Sequence, residues 1–194
     1  MRYGIDLDGV ICDFHKGFAR TINKLFPGRV APGAEHPDNW DWEGMLTSEE
    51  RGKVWREITR TPNWWLSLPA IGHNVGAIFR HRLQFPEDEI FYVTARHHHT
   101  GMERSGLPEM HQSQKWIDMC GIGGLGTSVI LMNGERKHWL YGELGVDGAV
   151  DDDPHHLPAK GGYLLATPWN SKERDGHVVI KGLDEFFERV GRKL

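Results

Sequence analysis

The sequence predicts an α/β protein in which a doubly wound parallel sheet carries a small helical cap after its first strand. Two observations favour this fold class. From about residue 88 onward, apolar runs of strand length alternate with helical patterns of about a dozen residues, as crossovers between parallel strands require. Residues 15–75 interrupt this alternation with helical periodicity directly after the first apolar run. We therefore expect a core domain formed by 1–14 and 76–194 and a cap formed by 15–75.

The individual elements follow from periodicity and from signals at their ends. A first strand covers YGIDL, and the next stretch, DFHKGFARTINKLF, has Phe14 and Phe18 at helical spacing before Pro27 ends the helix. A second helix is predicted at TSEERGKVWREITR, where Thr47 and Glu50 have capping-box spacing, and a third at AIGHNVGAIFRHRL. The alternation then runs through the strand EIFYVTAR, the helix LPEMHQSQKWIDMC, the strand SVILM, the helix GERKHWLYGEL and the strand GAVDDDP, before GYLLAT and HVVIKGLDEFFERV.

Composition limits the possible functions. The 194-residue chain carries a net charge of −4, with 39% hydrophobic and 26% charged residues. Because nucleic-acid binders usually carry an excess of lysine and arginine, a polymeric nucleic acid is not an expected partner. The two cysteines, Cys12 and Cys120, fit neither a disulfide framework nor a thiolate zinc site. With no signal peptide before the first strand and no apolar run of roughly 20 residues, we expect a cytoplasmic protein without a membrane role.

Polar side chains follow several of the predicted strands at the point where each strand ends. Asp6 and Asp8 end the first strand, Thr94 ends EIFYV, and an acidic run at 151–153 ends GAV. Lys137 opens the helix between the last two of these strands. Because ligands of open parallel sheets bind outside the carboxyl ends of the strands, we expect these groups to converge on one edge.

These residue types are typical of a magnesium site. Side chains two positions apart in an extended segment face the same way, so Asp6 and Asp8 can address one bound group. Carboxylates are hard oxygen ligands suited to Mg²⁺, which keeps several waters and shares its shell with substrate phosphate. We expect Asp6 and Asp152 to be the side-chain ligands, with the Asp8 carbonyl beside them. Asp151 is expected to hold the metal shell or Lys137 in place.

The same residues predict phosphoryl chemistry. With a cation and a lysine neutralising a phosphate, Asp6 can attack phosphorus and form an aspartyl-phosphate. Asp8 would protonate the leaving oxygen and then activate the water that releases phosphate. Thr94 and Lys137 would donate to the non-bridging oxygens. A DxDG stretch alone is ordinary turn chemistry, and the joint occurrence of the clusters in this order is what favours an enzyme.

Four stretches carry a resemblance to a known family. In order, DLDGVICDF, YVTAR, Lys137 within NGERKHW, and VDDDP resemble the four motifs of the haloacid dehalogenase (HAD)-like phosphohydrolase superfamily. A cap directly after DLDGVICDF, together with WWLSLPAIGHNVGAI and LLATPWN, resembles the 5′(3′)-deoxyribonucleotidase family over most of the chain. The resemblance implies a HAD-like, Rossmann-like fold and Mg²⁺-dependent dephosphorylation of nucleoside monophosphates, often by a homodimer.

The chain departs from the family pattern in two places. One is the stretch between Lys137 and Asp151, which holds a full helix that is longer than in compact family members. The other follows the second motif. The family often has a second hydroxyl residue after the threonine of its second motif, where this chain has Ala95 followed by Arg96. Phosphate contact from this position is therefore expected from the backbone or from Arg96. The roles implied for the other residues are nucleophile for Asp6, acid/base for Asp8, phosphate binding for Thr94 and Lys137, and metal binding for Asp152.

Aromatic residues are candidates for holding a base and a sugar. The resemblance suggests a slot formed by Phe14 and cap residues, with Trp40, Trp42, Trp64 and Trp65 as candidates. Stacking on an aromatic face contributes roughly 1–3 kcal/mol per base. Tryptophans in a three-helix cap usually form its core, and Trp40 is the expected exception because it lies in a loop. Phe14, Trp40 and Trp65 are the predicted substrate-binding residues.

Two histidine clusters are expected at the rim of the cleft. His97–His99 follow the second motif and His155–His156 follow the acidic run. Binding of a transition metal or contact with phosphate is one interpretation, and a solvated loop is the expected one.

Three functions stay open at this point. The first is a nucleotide monophosphatase with a helical cap, and the second is a phosphatase for another small metabolite or for a nucleic-acid 3′ phosphate. The third is a HAD-like module that binds or assembles without catalysis. The intact pair Asp6 and Asp8 argues against the third, because a retired enzyme has no reason to keep the second carboxylate.

Overall fold

The structure is a computed structural model that describes residues 1–96, 106–132 and 136–191. Within these ranges, six strands form one sheet in the order β3-β2-β1-β4-β5-β6, and all neighbouring pairs are parallel. The predicted α/β class with a doubly wound parallel sheet is therefore confirmed. The strands are β1 (Arg2–Asp6), β2 (Glu89–Thr94), β3 (Thr127–Leu131), β4 (Gly148–Asp151), β5 (Gly162–Leu165) and β6 (Val178–Ile180).

The helices lie between these strands. Thr47 and Glu50 form the predicted capping box, in which each side chain accepts a bond from the other residue's backbone N–H. Among the described residues, no helix is long and apolar enough to cross a membrane. The helices are α1 (Phe14–Leu25), α2 (Ser48–Arg60), α3 (Gly72–Gln84), α4 (Glu109–Met119), α5 (Lys137–Glu143) and α6 (Leu183–Val190), with 3-10 turns at Trp64–Ser67 and Pro154–His156.

The central strand β1 is covered on both faces. Ile5 pairs with Tyr92 of β2 on one side and with Val150 of β4 on the other, and all three side chains are fully buried. Strands β2 and β3 extend the sheet from one side of β1, and strands β4 to β6 extend it from the other. The chain thus reverses its direction of winding between β1 and β4, which is where open α/β sheets form a ligand crevice.

The helical insertion after β1 contributes to one continuous apolar core. Helix α1 packs on α2, and the buried apolar side chains of both belong to the cluster that also contains the strand residues. Helix α3 instead packs on α6, where Arg80 pairs with Asp184 at 2.7 Å. The predicted boundary between residues 75 and 76 falls inside α3, and the division into cap and core stays a prediction.

Candidate active site

Lys137 joins the ends of β1 and β4. It is the first residue of α5, and its side chain is buried between two strand-end carboxylates. Its Nζ donates to Asp6 Oδ1 at 2.5 Å and to Asp151 Oδ2 at 3.0 Å. Burial alone would lower the pKa of Lys137, but the carboxylates of Asp151 and Asp6 more than reverse this and raise it well above its usual value. The lysine is therefore a fixed positive charge at the switch point of the sheet.

Three carboxylates crowd around this lysine. Asp6, Asp151 and Asp152 are all buried, and each offers an oxygen that lies within 4.8 Å of the others. Burial, only partly offset by Lys137, raises the pKa of Asp6 to about 7. Burial, together with the charges of Asp151 and Asp6, raises the pKa of Asp152 well above its usual value. One ammonium does not balance three carboxylates, so the cluster suits an additional cation.

Asp151 differs from its neighbours in being fully paired by protein groups. Burial opposes ionisation, but Lys137 and a contact from His156 Nδ1 at 3.3 Å outweigh it, and the pKa of Asp151 is lowered. The backbone N–H of Asp153 also donates to Asp151 Oδ1 at 3.0 Å. Both oxygens are thus engaged, one of them by Lys137.

Asp8 faces a different partner from Asp6. Arg96 donates to it twice, from Nε to Oδ2 at 2.9 Å and from one terminal nitrogen to Oδ1 at 2.7 Å. Thr94 Oγ1 donates to Asp8 Oδ2 at 3.2 Å. The chain turns sharply at Gly9, whose φ of +85° lies in the left-handed region, and a Cβ there would collide with the Asp152 carboxylate. The glycine of the first motif therefore brings Asp8 and Asp152 to one site.

Arg96 is held from several sides besides Asp8. Its guanidinium donates to Ser113 Oγ at 3.0 Å and to Cys12 Sγ at 3.1 Å, and it lies 4.9 Å from the centre of the Trp65 ring. Burial would lower its pKa, but Asp8 raises it above its ordinary value. Arg96 lines the cleft as expected, yet its bonds go to Asp8, so a phosphate would have to share it.

Asp152 is fixed by residues that the sequence analysis did not select. The indole Nε1 of Trp169 donates to Asp152 Oδ2 at 2.6 Å, and Asn170 Nδ2 donates to the Asp152 carbonyl at 2.8 Å. Asn170 also bonds the Leu165 carbonyl at 2.7 Å, which ties the loop to the end of β5. The only signal in the sequence was LLATPWN, which contributed to the resemblance but carried no role.

A cavity of about 350 Å³ opens above these charged groups. Phe14 stacks against Trp40 with ring centres 5.2 Å apart and against Trp65 at 6.0 Å. Trp55 of α2 also stacks on Phe14, at 5.9 Å, and was missed because its helix reads as an ordinary charged surface helix. The charged floor and the aromatic walls share one cavity, lined by Asp6, Asp8, Phe14, Trp40, Trp55, Trp65, Ala95, Arg96, Lys137, Asp151, Asp152, Asp153 and His156.

Trp42 and Trp64 belong to the core rather than to the cavity. Both are buried, and their indole N–H groups bond to His15 Nδ1 at 3.1 Å and to Thr21 Oγ1 at 3.0 Å. Trp40, by contrast, is 42% exposed in its loop. Of the four tryptophans considered, Trp40 and Trp65 are thus the ones that line the cavity.

The two histidines of the second cluster, His155 and His156, lie in different surroundings. His155 is exposed, as a solvated loop predicts. His156 differs from that expectation because it contacts Asp151, and this bond raises its pKa although burial opposes the shift. His97–His99 lie outside the described residues.

Two solved structures are similar to this chain at low sequence identity. A hydrolase from Streptococcus pneumoniae TIGR4 has a similar structure, with a TM-score of 0.45 and 10% identity over 97% of each chain. The L-2-haloacid dehalogenase of Xanthobacter autotrophicus, with chloropropionic acid covalently bound, has a TM-score of 0.44 and 11% identity over 100% of this chain and 89% of that one.

The sequence itself gives the decisive match. No curated protein matches it. The model of the family described as 5′ nucleotidase, deoxy (pyrimidine), cytosolic type C, matches residues 1–177, which is most of the chain. The chain therefore belongs to this 5′ nucleotidase family, and it is a hydrolase of the nucleotidase-like phosphatase class.

Proposed function

We propose that the protein is a Mg²⁺-dependent phosphomonoesterase that acts on (deoxy)nucleoside monophosphates through an aspartyl-phosphate. The observation that carries the proposal is the joint cavity, in which a charged floor for a phosphate lies directly below aromatic walls for a base. The floor holds two positive side chains, Lys137 and Arg96, and two carboxylates of different surroundings, Asp6 and Asp8.

The donor set fits Mg²⁺. Burial, with the charges of neighbouring carboxylates, raises the pKa values of Asp6 and Asp152, so an added cation would favour their charged forms. We assign Asp6, Asp152 and the Asp8 carbonyl as the protein's ligands. When bound, Mg²⁺ would neutralise phosphate charge and stabilise the charge that develops on the transferring group.

The residues divide the chemistry between them. Asp6 attacks phosphorus with a carboxylate oxygen while the bond to the leaving oxygen breaks, and Asp8 gives its proton to that oxygen. Asp8 then takes a proton from water as the water attacks the aspartyl-phosphate, which releases phosphate and restores Asp6. Lys137 and Thr94 donate to the non-bridging oxygens, with the backbone at Ala95 or Arg96 completing the phosphate site.

The aromatic walls of the cavity favour a nucleotide over a sugar phosphate as the substrate. Phe14, Trp40 and Trp65 form stacked pairs and all line one cavity, and aromatic rings of this kind hold planar bases by stacking. A sugar phosphate would favour polar groups at these positions, because its hydroxyls form hydrogen bonds. We assign the three aromatic residues to base and sugar binding, and residues 15–75 to a cap over a core of 1–14 and 76–194.

Two wider assignments belong to the same proposal. The free cysteines Cys12 and Cys120 support a reducing location, and we propose the cytoplasm. A homodimer is what the resemblance implies.

A phosphate-release screen tests the proposed function. Deoxy- and ribonucleoside monophosphates with 5′ or 3′ phosphates, sugar phosphates and a generic phosphate ester would be compared with and without Mg²⁺. We expect Mg²⁺-dependent release that is fastest for nucleotides, and a loss of roughly 10³-fold or more for Asp6→Asn, because an amide does not attack phosphorus. Equal rates on sugar phosphates, or normal turnover by a folded Asp6→Asn variant, would contradict the proposal.

A further inference from the structure

One oxygen of Asp152 is enclosed and the other is left open. The Trp169 indole donates to Oδ2 at 2.6 Å, and the backbone of Gly9 lies so close to this oxygen that no side chain fits there. Among the described residues, no group donates a hydrogen bond to Oδ1. The carboxylate therefore has one oxygen bonded to the indole and one that accepts no hydrogen bond from the described residues.

The indole that makes this bond is itself held in place. The ring of His15 packs against Trp169 with centres 4.2 Å apart, and Trp40 approaches its edge at 6.2 Å. The next residue in the chain, Asn170, anchors the loop through two hydrogen bonds to backbone carbonyls, at 2.7 and 2.8 Å. The direction of the indole N–H is thus set from both sides, as expected of a group that orients a ligand.

We propose that Trp169 is a positioning residue that makes Asp152 a one-oxygen ligand and thereby favours Mg²⁺ over Ca²⁺. This inference rests on the magnesium site of the proposed function. Mg²⁺ demands near-ideal octahedral geometry, whereas Ca²⁺ accepts a carboxylate through both oxygens and tolerates irregular shells. When one oxygen of a carboxylate is hydrogen-bonded to an indole, only the other oxygen is available to a metal ion. This arrangement suits Mg²⁺ and denies Ca²⁺ a second contact with the same carboxylate.

The test is metal binding by the free protein, measured by calorimetry with Mg²⁺ and with Ca²⁺. Trp169→Phe keeps the ring and removes the N–H. We expect the dissociation constant for Mg²⁺ to rise about tenfold, in the range that loss of an outer hydrogen bond to a metal ligand produces. The constant for Ca²⁺ should change by less than about threefold, so the preference for Mg²⁺ falls.

Trp116→Phe is the matched control. Trp116 is buried, and its replacement removes one indole hydrogen bond of similar length, which goes to the Leu68 carbonyl at 2.8 Å and not to a carboxylate. It should leave both dissociation constants unchanged. An unaltered ratio of the two constants in folded Trp169→Phe would overturn the role of Trp169.

A second measurement needs no change at Trp169. In wild-type protein with ¹⁵N-labelled indoles, Mn²⁺ in place of Mg²⁺ should broaden one of the eight tryptophan N–H signals before the others. The signal that Mn²⁺ broadens first should still be present in the spectrum of Trp40→Phe. If it is missing from that spectrum, or if Mn²⁺ broadens no tryptophan signal selectively, the inference is contradicted. Phosphate release enters neither readout, so a protein inactive on nucleotides would contradict the proposed function and leave these results to decide on Trp169.

Discussion

Asp6 and Asp8 are two residues apart in the sequence, yet the charged groups around them differ. Asp6 shares Lys137 with Asp151 and lies among other carboxylates, and burial there raises its pKa to about 7. Asp8 has a guanidinium of its own, which donates to both of its oxygens. Different surroundings for two nearby carboxylates are how active sites separate a nucleophile from an acid/base. The residue scale thus supports different roles for the pair.

Replacing Arg96 by Lys tests how Asp8 is positioned. A lysine keeps the charge but not the two-pronged geometry, and it also loses the bonds to Ser113 and Cys12. We expect kcat for a generic phosphate ester to fall roughly 10–100-fold, because misplacement of a reacting group by about 1 Å has an effect of this size. KM should change less than kcat.

Ser113→Ala provides the control for this substitution. It removes one bond to Arg96, at 3.0 Å, and leaves both bonds to Asp8 in place. Steady-state kinetics of the two variants should show a far smaller loss for Ser113→Ala. If Arg96→Lys raises KM and spares kcat, the guanidinium acts on the phosphate and not through Asp8.

At the scale of elements, the aromatic walls come from four different segments. Helix α1 supplies Phe14, the following loop supplies Trp40, helix α2 supplies Trp55, and the 3-10 turn Trp64–Ser67 supplies Trp65. The charged floor comes instead from the carboxyl ends of the strands and the start of α5. In the proposed function, phosphate chemistry and base recognition therefore belong to different segments of the chain, which meet where Arg96 lies over the Trp65 ring.

Trp40→Ala should weaken nucleotide binding selectively. The ring is 42% exposed and stacks on Phe14, so its loss removes a stacking face without opening the core. With stacking worth about 1–3 kcal/mol per base, kcat/KM for nucleotides should fall by about 5- to 150-fold. A generic phosphate ester should lose less than about twofold, and Trp40→Phe should retain most of the nucleotide activity. Equal losses on both substrates, measured side by side, would argue against base stacking by Trp40.

At the scale of the whole molecule, the sheet and most residues of the charged floor were predictable from the sequence, and the side-chain contacts that hold those residues were not. Apolar runs and their spacing gave the parallel sheet, and the rule for strand ends then brought Asp6, Thr94 and Lys137 together. The pairing of Asp8 with Arg96, and of Asp152 with Trp169, depends on side-chain directions across distant segments. Periodicity carries no information about such directions, because it records only which face of an element is apolar.

The buried ring of His15 makes the stability of the fold depend on pH. Burial, helped by the nearby His36, lowers the pKa of His15 to about 3 from its ordinary 6.5. The His15 Nδ1 atom accepts a hydrogen bond from the Trp42 indole N–H, so the folded protein keeps this histidine neutral. The same ring packs against Trp169. Because the unfolded chain binds the proton more readily, the stabilising contribution is complete above pH 6.5 and is lost as the pH falls towards 3.

His15→Leu should remove this dependence. Between pH 7 and pH 5, the term from His15 lowers the free energy of unfolding of the wild type by about 2 kcal/mol, since each pH unit below 6.5 contributes about 1.4 kcal/mol. Urea unfolding at a series of pH values should therefore give a smaller loss for His15→Leu than for the wild type, whatever the variant's stability at pH 7. His177→Gln, at an exposed position, should keep the wild-type slope. Parallel slopes for wild type and His15→Leu would show that His15 takes up a proton as readily in the folded protein as in the unfolded chain, which would contradict a neutral His15 between Trp42 and Trp169.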